Sequence, residues 1–205
     1  MLINSAKKKS IEIDVLGLNQ PWLGFGQKLL LVEEYLQKIP DDHIVLYVDA
    51  FDVLILENKE SLLRRFFAKR APFVVAVETG CFPDPSKAAE YPPILTPFRY
   101  INSGCYMGYA GFLKILFRAL DPKVADNDQL LFTNYYLKHR HLFCLDYHCD
   151  LFLCLYGIKN SELVIDQKRR TVRHAALRKN SPIIHGNGGR KAQLQKIGRK
   201  FGFGE

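Results

Sequence analysis

With 205 residues, 48% of them apolar and 24% charged, the chain is long enough to bury a full core and lacks the compositional bias of a disordered segment. No run of about 18 or more apolar residues occurs, and the opening MLINSAKKKS has no apolar stretch of signal-peptide length, so neither a membrane span nor a secretion signal is expected and the chain as written reads as cytoplasmic. The net charge of +8 favours anionic partners and is concentrated late in the chain, in DQKRRTVRHAALRKN and GGRKAQLQKIGRK.

In chain order, IEIDVLGL, IVLYVDA, FVVAVE and YINSGCYMGYA are short, rich in β-branched and aromatic residues and bounded by Gly, Pro or Asp, which predicts strands. Between them, GQKLLLVEEYLQKI carries Leu29, Leu30, Val32, Leu36 and Ile39 near helical spacing, and NKESLLRRFFAKR does the same with Leu62, Leu63, Phe66 and Phe67. AGFLKILFRAL and DNDQLLFTNYYLKH predict two further helices, the second opening on acidic residues that suit a helix N-terminus. Strand and helix alternate, so the expectation is a single α/β domain over 1–205 with a mostly parallel sheet flanked by helices. Five cysteines, Cys81, Cys105, Cys144, Cys149 and Cys154, form no CxxC pair and are odd in number, which argues for reduced thiols over a zinc knuckle or a disulfide framework.

In open α/β sheets the ligand crevice lies beyond the carboxyl ends of the strands. There, Asp49 ends a strand expected to be buried and Asp52 follows one short turn later. Two carboxylates so placed suit a hard divalent cation, Mn²⁺ or Mg²⁺, that also grips a diphosphate, although aspartates commonly cap turns as well. Far downstream, SPIIHGNGGRKAQ runs an apolar pair into His185, then Gly186, Asn187 and Gly188, then Arg190 and Lys191. Glycines allow close approach of backbone to ligand, and clustered cations suit phosphate oxygens.

DNDQ offers Asp126, Asn127, Asp128 and Gln129 at a helix start, groups able to recognise sugar hydroxyls or simply to cap the helix. Asn102 in INSGCYMG marks either a polar wall or a bulge. Phe82 in CFPDP could cover a ligand or fill the core. His139, His141 and His148 receive no ligand role, and Cys144, Cys149 and Cys154 read as small buried hydrophobes.

Taken in order, VDAFDVL, INSGCYMGYA, DNDQLLFTNYYL, LDYHCDLFLCLYG and IIHGNGGRKAQLQ, with VLGLNQPWLGFGQKLLLVEEYL near the start, resemble the glycosyltransferase domain of procollagen lysyl hydroxylases over nearly the whole chain. The resemblance implies a GT-A fold with a Rossmann-like nucleotide-sugar half. It also implies transfer of glucose or galactose from UDP-glucose or UDP-galactose, with Mn²⁺, onto hydroxylysine or galactosyl-hydroxylysine of a collagen-like protein. By the same resemblance Asp49, Asp52 and His185 are the metal ligands. Asn102, Asp126, Asn127 and Asp128 take the catalytic, sugar-side roles, although Asn127 stands where relatives commonly carry an acidic residue. Phe82, Gln129, Gly186, Asn187, Gly188, Arg190 and Lys191 contact substrate, Phe82 as an aromatic gate. Relatives begin with an additional strand and turn that contact the uridine, and the sequence as given starts after that point, so either its start is truncated or misassigned or its base pocket is built differently. A cytoplasmic enzyme of bacterial or viral setting is expected, or one of the endoplasmic reticulum lumen if a signal lies upstream.

Three other readings compete. A non-catalytic UDP-sugar or collagen-binding module would explain the missing strand. A nucleic-acid binder would explain the charge, but the aromatics lie in apolar segments and do not interleave with the basic run, so no nucleic acid is expected as partner. A phosphatase that uses aspartates after a strand needs them two residues apart, and here the spacing is three.

Overall fold

The computed structural model describes residues 1–203; the expected domain also takes in Gly204 and Glu205, which lie outside the described residues. The elements run α1 (Leu2–Lys7), α2 (Phe25–Leu36), β1 (Ile44–Val48), β2 (Val53–Ile55), α3 (Lys59–Ala68), β3 (Phe73–Glu78), β4 (Tyr100–Tyr109) and α4 (Ala110–Leu120). They continue as α5 (Asp128–Lys138), β5 (Cys144–Leu145), β6 (Phe152–Cys154), β7 (Leu163–Asp166), β8 (Thr171–His174), β9 (Ile183–His185) and α6 (Lys191–Lys200). No described helix is long and apolar enough to cross a membrane.

The α/β expectation holds, and the strand pairing refines it. The larger sheet has the order β1-β4-β3-β5, in which β1 and β3 both pair antiparallel with β4, and β5 pairs parallel with β3. Three of its four strands therefore run in one sense, as alternation of strand and helix requires, and the reversed β4 inserted among them makes the sheet mixed instead of mostly parallel. A smaller sheet, β2-β9-β6, pairs β2 antiparallel and β6 parallel to β9, and β7 with β8 forms a hairpin.

Side chains of β3 explain its unbroken apolar sequence. Phe73, Val75 and Val77 enter an aromatic-rich cluster with Tyr106, Phe117 and Phe132, while Val74 and Ala76 enter a second cluster with Val53, Phe66, Phe152 and Ile183. Successive residues of a strand point to opposite faces, so a strand covered on both faces needs apolar residues throughout. The strand expected to be buried before Asp49, β1, is only half-buried, because it forms an edge of the sheet.

The strand expected over IEIDVLGL does not form. Residues 11–15 carry no regular structure; Ile11 and Ile13 pack against the second cluster, and the Ile11 N–H bonds back to the Ala6 carbonyl at 3.0 Å. Ile11, Ile13 and Leu16 pack against the core while Val15 and Leu18 stay exposed, and no neighbouring strand pairs with the segment.

A buried ion cluster fastens the segment before β6 to α3. Asp146, fully buried, accepts from Lys69 at 2.6 Å and from the backbone N–H groups of Asp150, Leu151 and Phe152 at 2.7–3.1 Å, while Lys69 also reaches Asp150 at 2.7 Å. Removing one partner strands the other charge and the amides. Asp146→Ala is expected to lower the unfolding free energy by about 3 kcal/mol or more, measured by chemical denaturation.

Candidate functional site

Three ligand-type side chains converge where the two sheets meet. Asp49 follows β1, Asp52 precedes β2 and His185 ends β9; one carboxylate oxygen from each aspartate and one imidazole nitrogen all lie within 4.8 Å of one another. His185 Nε2 stands 3.7 Å from Asp49 Oδ2 and 3.4 Å from Asp52 Oδ1. A Mn²⁺ or Mg²⁺ ion binds oxygen and nitrogen at roughly 2.1 Å, so donors up to roughly 4.2 Å apart can share it. Both histidine–carboxylate distances fall within that reach, and two carboxylates with one imidazole are the donor types such an ion takes.

A register shift in β4 makes this approach possible. Val75 pairs with Tyr106 and Ala76 with Asn102, so Ser103, Gly104 and Cys105 are spent in a bulge. The Gly104 carbonyl accepts from the Asp49 N–H at 2.8 Å. A methyl group at Gly104 would stand 2.3 Å from His185 Cε1 and 2.6 Å from Asp49 Oδ2, which leaves room for glycine alone.

Neighbouring groups orient the ligands. His185 Nδ1 lies 3.0 Å from Asn102 Oδ1, an acceptor, so in the neutral ring the proton sits on Nδ1 and the Nε2 lone pair faces the aspartates. Burial pushes the His185 pKa down, but Cys105 and the Asp52 carboxylate push it up further, and it lies well above the ordinary histidine value. Burial raises the Asp52 carboxyl, and His185, Lys191 and Lys28 outweigh it, leaving Asp52 below the usual range.

Two polar networks extend from this triad. In the first, Lys28 of α2 bridges Asp49 Oδ1 at 3.0 Å and Asp128 Oδ2 at 2.7 Å, with Tyr47 and Ser103 hydroxyls donating to the same two carboxylates. Burial works to lower the Lys28 pKa, yet Asp49 and Asp128 hold it above its usual value. In the second, the amides of Asn102, Gln129 and Asn187 all donate to buried Glu78, at 3.0, 2.7 and 2.9 Å. Burial raises the Glu78 carboxyl, while these amides oppose the rise.

The remaining predicted residues divide. Gln129 also donates to the Phe82 carbonyl at 3.1 Å, and the Phe82 side chain is exposed, so it fills no core. The Gly186 N–H donates to the Asp52 carbonyl at 2.7 Å, fastening the glycine turn to the triad. Lys191, the first residue of α6, lies 5.5 Å over the exposed ring of Phe51, and Arg190 sits at the N-cap of that helix. Asn127 caps α5 by accepting from the Leu130 N–H, and Asp126 accepts from the Lys123 N–H at 2.7 Å. Their recorded bonds are local, whereas Asn102, Asp128 and Gln129 join the networks around the triad.

Comparison with known proteins decides the family. The model described as PLOD GT domain, a glycosyltransferase domain, matches residues 1–201. The chain belongs to that family.

This PLOD GT chain is 33% identical over 221 residues to a multifunctional procollagen lysine hydroxylase and glycosyltransferase of Caenorhabditis elegans, covering 98% of this chain and 30% of the relative. It is 32% identical over 209 residues to procollagen-lysine,2-oxoglutarate 5-dioxygenase 1 of Gallus gallus, covering 95% of this chain and 29% of the relative. The chain thus spans about three tenths of the length of these curated relatives. Among solved structures, mouse xyloside xylosyltransferase 1 in its apo form is similar with a TM-score of 0.49 and 18% identity, over 80% of this chain and 65% of that one.

Three residues of the networks around the triad escaped the reading of the sequence: Lys28, Tyr47 and Glu78. Glu78 carried a signal, since it closes the apolar run FVVAVE as Asp49 closes IVLYVD. Lys28 carried none: a lysine on an amphipathic helix is ordinarily a solvated charge.

Glu78→Ala would remove the acceptor that three amides share and leave that of Asn187 unpaired, and the unfolding free energy is expected to fall by about 2 kcal/mol or more. Glu78 has a folded-state pKa above the ordinary glutamate value of 4.5, so its contribution is present below that pH and is lost as pH rises through the folded value. The stability of the native protein relative to Glu78→Gln is therefore expected to decline as pH rises above 4.5, as read from denaturation curves at several pH values.

Proposed function

We propose that this chain, acting as one unit over residues 1–205, transfers glucose or galactose from a UDP-sugar to hydroxylysine or galactosyl-hydroxylysine of a collagen-like protein, with Mn²⁺, or Mg²⁺ in its place. The observation that carries the reading is the meeting of Asp49, Asp52 and His185 within 4.8 Å, next to the Lys28–Asp128 pair. Membership of the PLOD GT family supports the transfer reaction, and the relatives' names, procollagen lysine hydroxylases that carry a glycosyltransferase, support the acceptor class.

Asp49 through Oδ2, Asp52 through Oδ1 and His185 through Nε2 would hold the ion, which when bound neutralises charge on a UDP diphosphate. Lys28 fixes Asp49 by its other oxygen and so aims Oδ2 at the shared centre. Lys191, beside Asp52, adds positive charge on the side where a leaving diphosphate would gather negative charge, and Arg190 precedes it. Asp128 spends Oδ2 on Lys28 and Ser103, which leaves Oδ1 as the group to accept a hydrogen bond from an acceptor hydroxyl. Asn102, Gln129 and Asn187 are held rigid by Glu78 and form the polar wall against which a sugar is oriented, with Phe82 at its rim.

Asp52→Ala and His185→Ala are each expected to reduce Mn²⁺-dependent release of UDP from UDP-glucose or UDP-galactose by more than about 100-fold. Release that persists in both variants would overturn the assignment. Calorimetry with UDP and Mn²⁺ distinguishes a transferase from a module that binds without turnover.

A further inference from the structure

Tyr156 is held firmly and yet is not buried. A methyl group at Gly188 would stand 2.3 Å from its Cδ2, and one at Gly80 would stand 2.6 Å from its Cε1, so a larger residue at either position would displace the ring. Its backbone is fixed as well: Asn187 Oδ1 accepts from the Tyr156 N–H at 3.0 Å, and the Thr79 hydroxyl donates to the Tyr156 carbonyl at 2.9 Å. Gly157 then turns the chain at φ +74°, and a methyl group there would stand 2.2 Å from the same Thr79 hydroxyl. Despite this bracing, Tyr156 is 41% exposed. A large aromatic side chain kept in place with apolar area facing solvent is preorganised for contact with another molecule.

Its position identifies the contact. The Leu155 N–H bonds the His185 carbonyl at 2.9 Å, so Tyr156 lies one residue beyond the strand pair that ends at the candidate metal ligand. Gly188 belongs to the glycine turn after His185, and Gly80 leads into the loop that carries Phe82. Tyr156 therefore sits on the rim between these two segments, and Asn187, the residue that holds it, also donates to Glu78. An aromatic ring with a hydroxyl at one end matches a pyranose, whose C–H groups form an apolar face and whose hydroxyls seek hydrogen-bond partners at its edge.

Resting on the UDP-sugar transfer described above, we propose that Tyr156 is a specificity-determining residue that packs against the sugar ring of an already glycosylated acceptor. It favours galactosyl-hydroxylysine over bare hydroxylysine.

The test compares Tyr156→Ala, Tyr156→Leu and Tyr156→Phe with the native chain, each checked by thermal melting. Binding of a galactosyl-hydroxylysine peptide and of a hydroxylysine peptide is measured by calorimetry in UDP and Mn²⁺, beside the KM for each peptide and for UDP-glucose. Loss of the aromatic face is expected to raise the Kd and KM for the galactosylated peptide about tenfold in the Ala and Leu variants. The Phe variant is expected to stay within about threefold, and the KM for UDP-glucose to move less than that for the peptide. Equal weakening of both peptides, a larger shift in the donor KM, or no preference for the galactosylated peptide in the native chain would overturn the proposal. If the native chain releases no UDP, the transferase reading fails, while the peptide-binding comparison still decides Tyr156.

Discussion

The approach of three chain segments at Gly104 is the constraint on which the site depends. Asp49 and His185 come from positions 136 residues apart in the sequence, and the space between them admits no side chain on β4. The bulge in β4 releases Ser103–Cys105 from β3, while on the other side the Gly104 carbonyl extends the β1 pairing to the Asp49 N–H. Local irregularity in the sheet thus falls at the point where the ligands meet.

Charge is distributed around that point with equal economy. Lys28 serves two carboxylates at once, and its burial is tolerable because both partners are within 3.0 Å. Glu78 does the converse, a buried acid whose hydrogen bonds come from three amide donors, with His185 near enough to favour its charged form. The site thus has an ionic half around Asp49 and Asp128 and an amide half around Glu78, joined through Asn102, whose oxygen meets His185 and whose nitrogen meets Glu78. One conformation of Asn102 serves both halves, so the imidazole tautomer and the amide cluster around Glu78 are set by the same side chain.

Much of this was legible in the residues themselves. The long amphipathic helices and the apolar run of β3 follow from periodicity and composition, and the aspartates after β1 follow from the position of strand ends in an α/β sheet. The short strands β2, β6 and β9 were not assigned, because three residues give no period and each pairs only with strands distant in sequence, β2 with β9 across more than half of the chain. IEIDVLGL shows the opposite failure: its alternation is real, but Ile11, Ile13 and Leu16 dock against the core with no strand beside them, and Val15 and Leu18 stay exposed. Lys28 and Tyr156 were hidden for a related reason, since their surroundings are made by residues distant in sequence, and nothing in their own neighbours marks them.

The placement of the triad has a mechanical side. Asp49 leaves the larger sheet at β1, whereas Asp52 and His185 belong to strands of the smaller one, and Phe51 and Ala50 form the short link between them. A cation held by all three residues would stitch the two sheets together at their seam, and occupancy of the triad would then raise resistance to heat, since the seam could not open without releasing the ion.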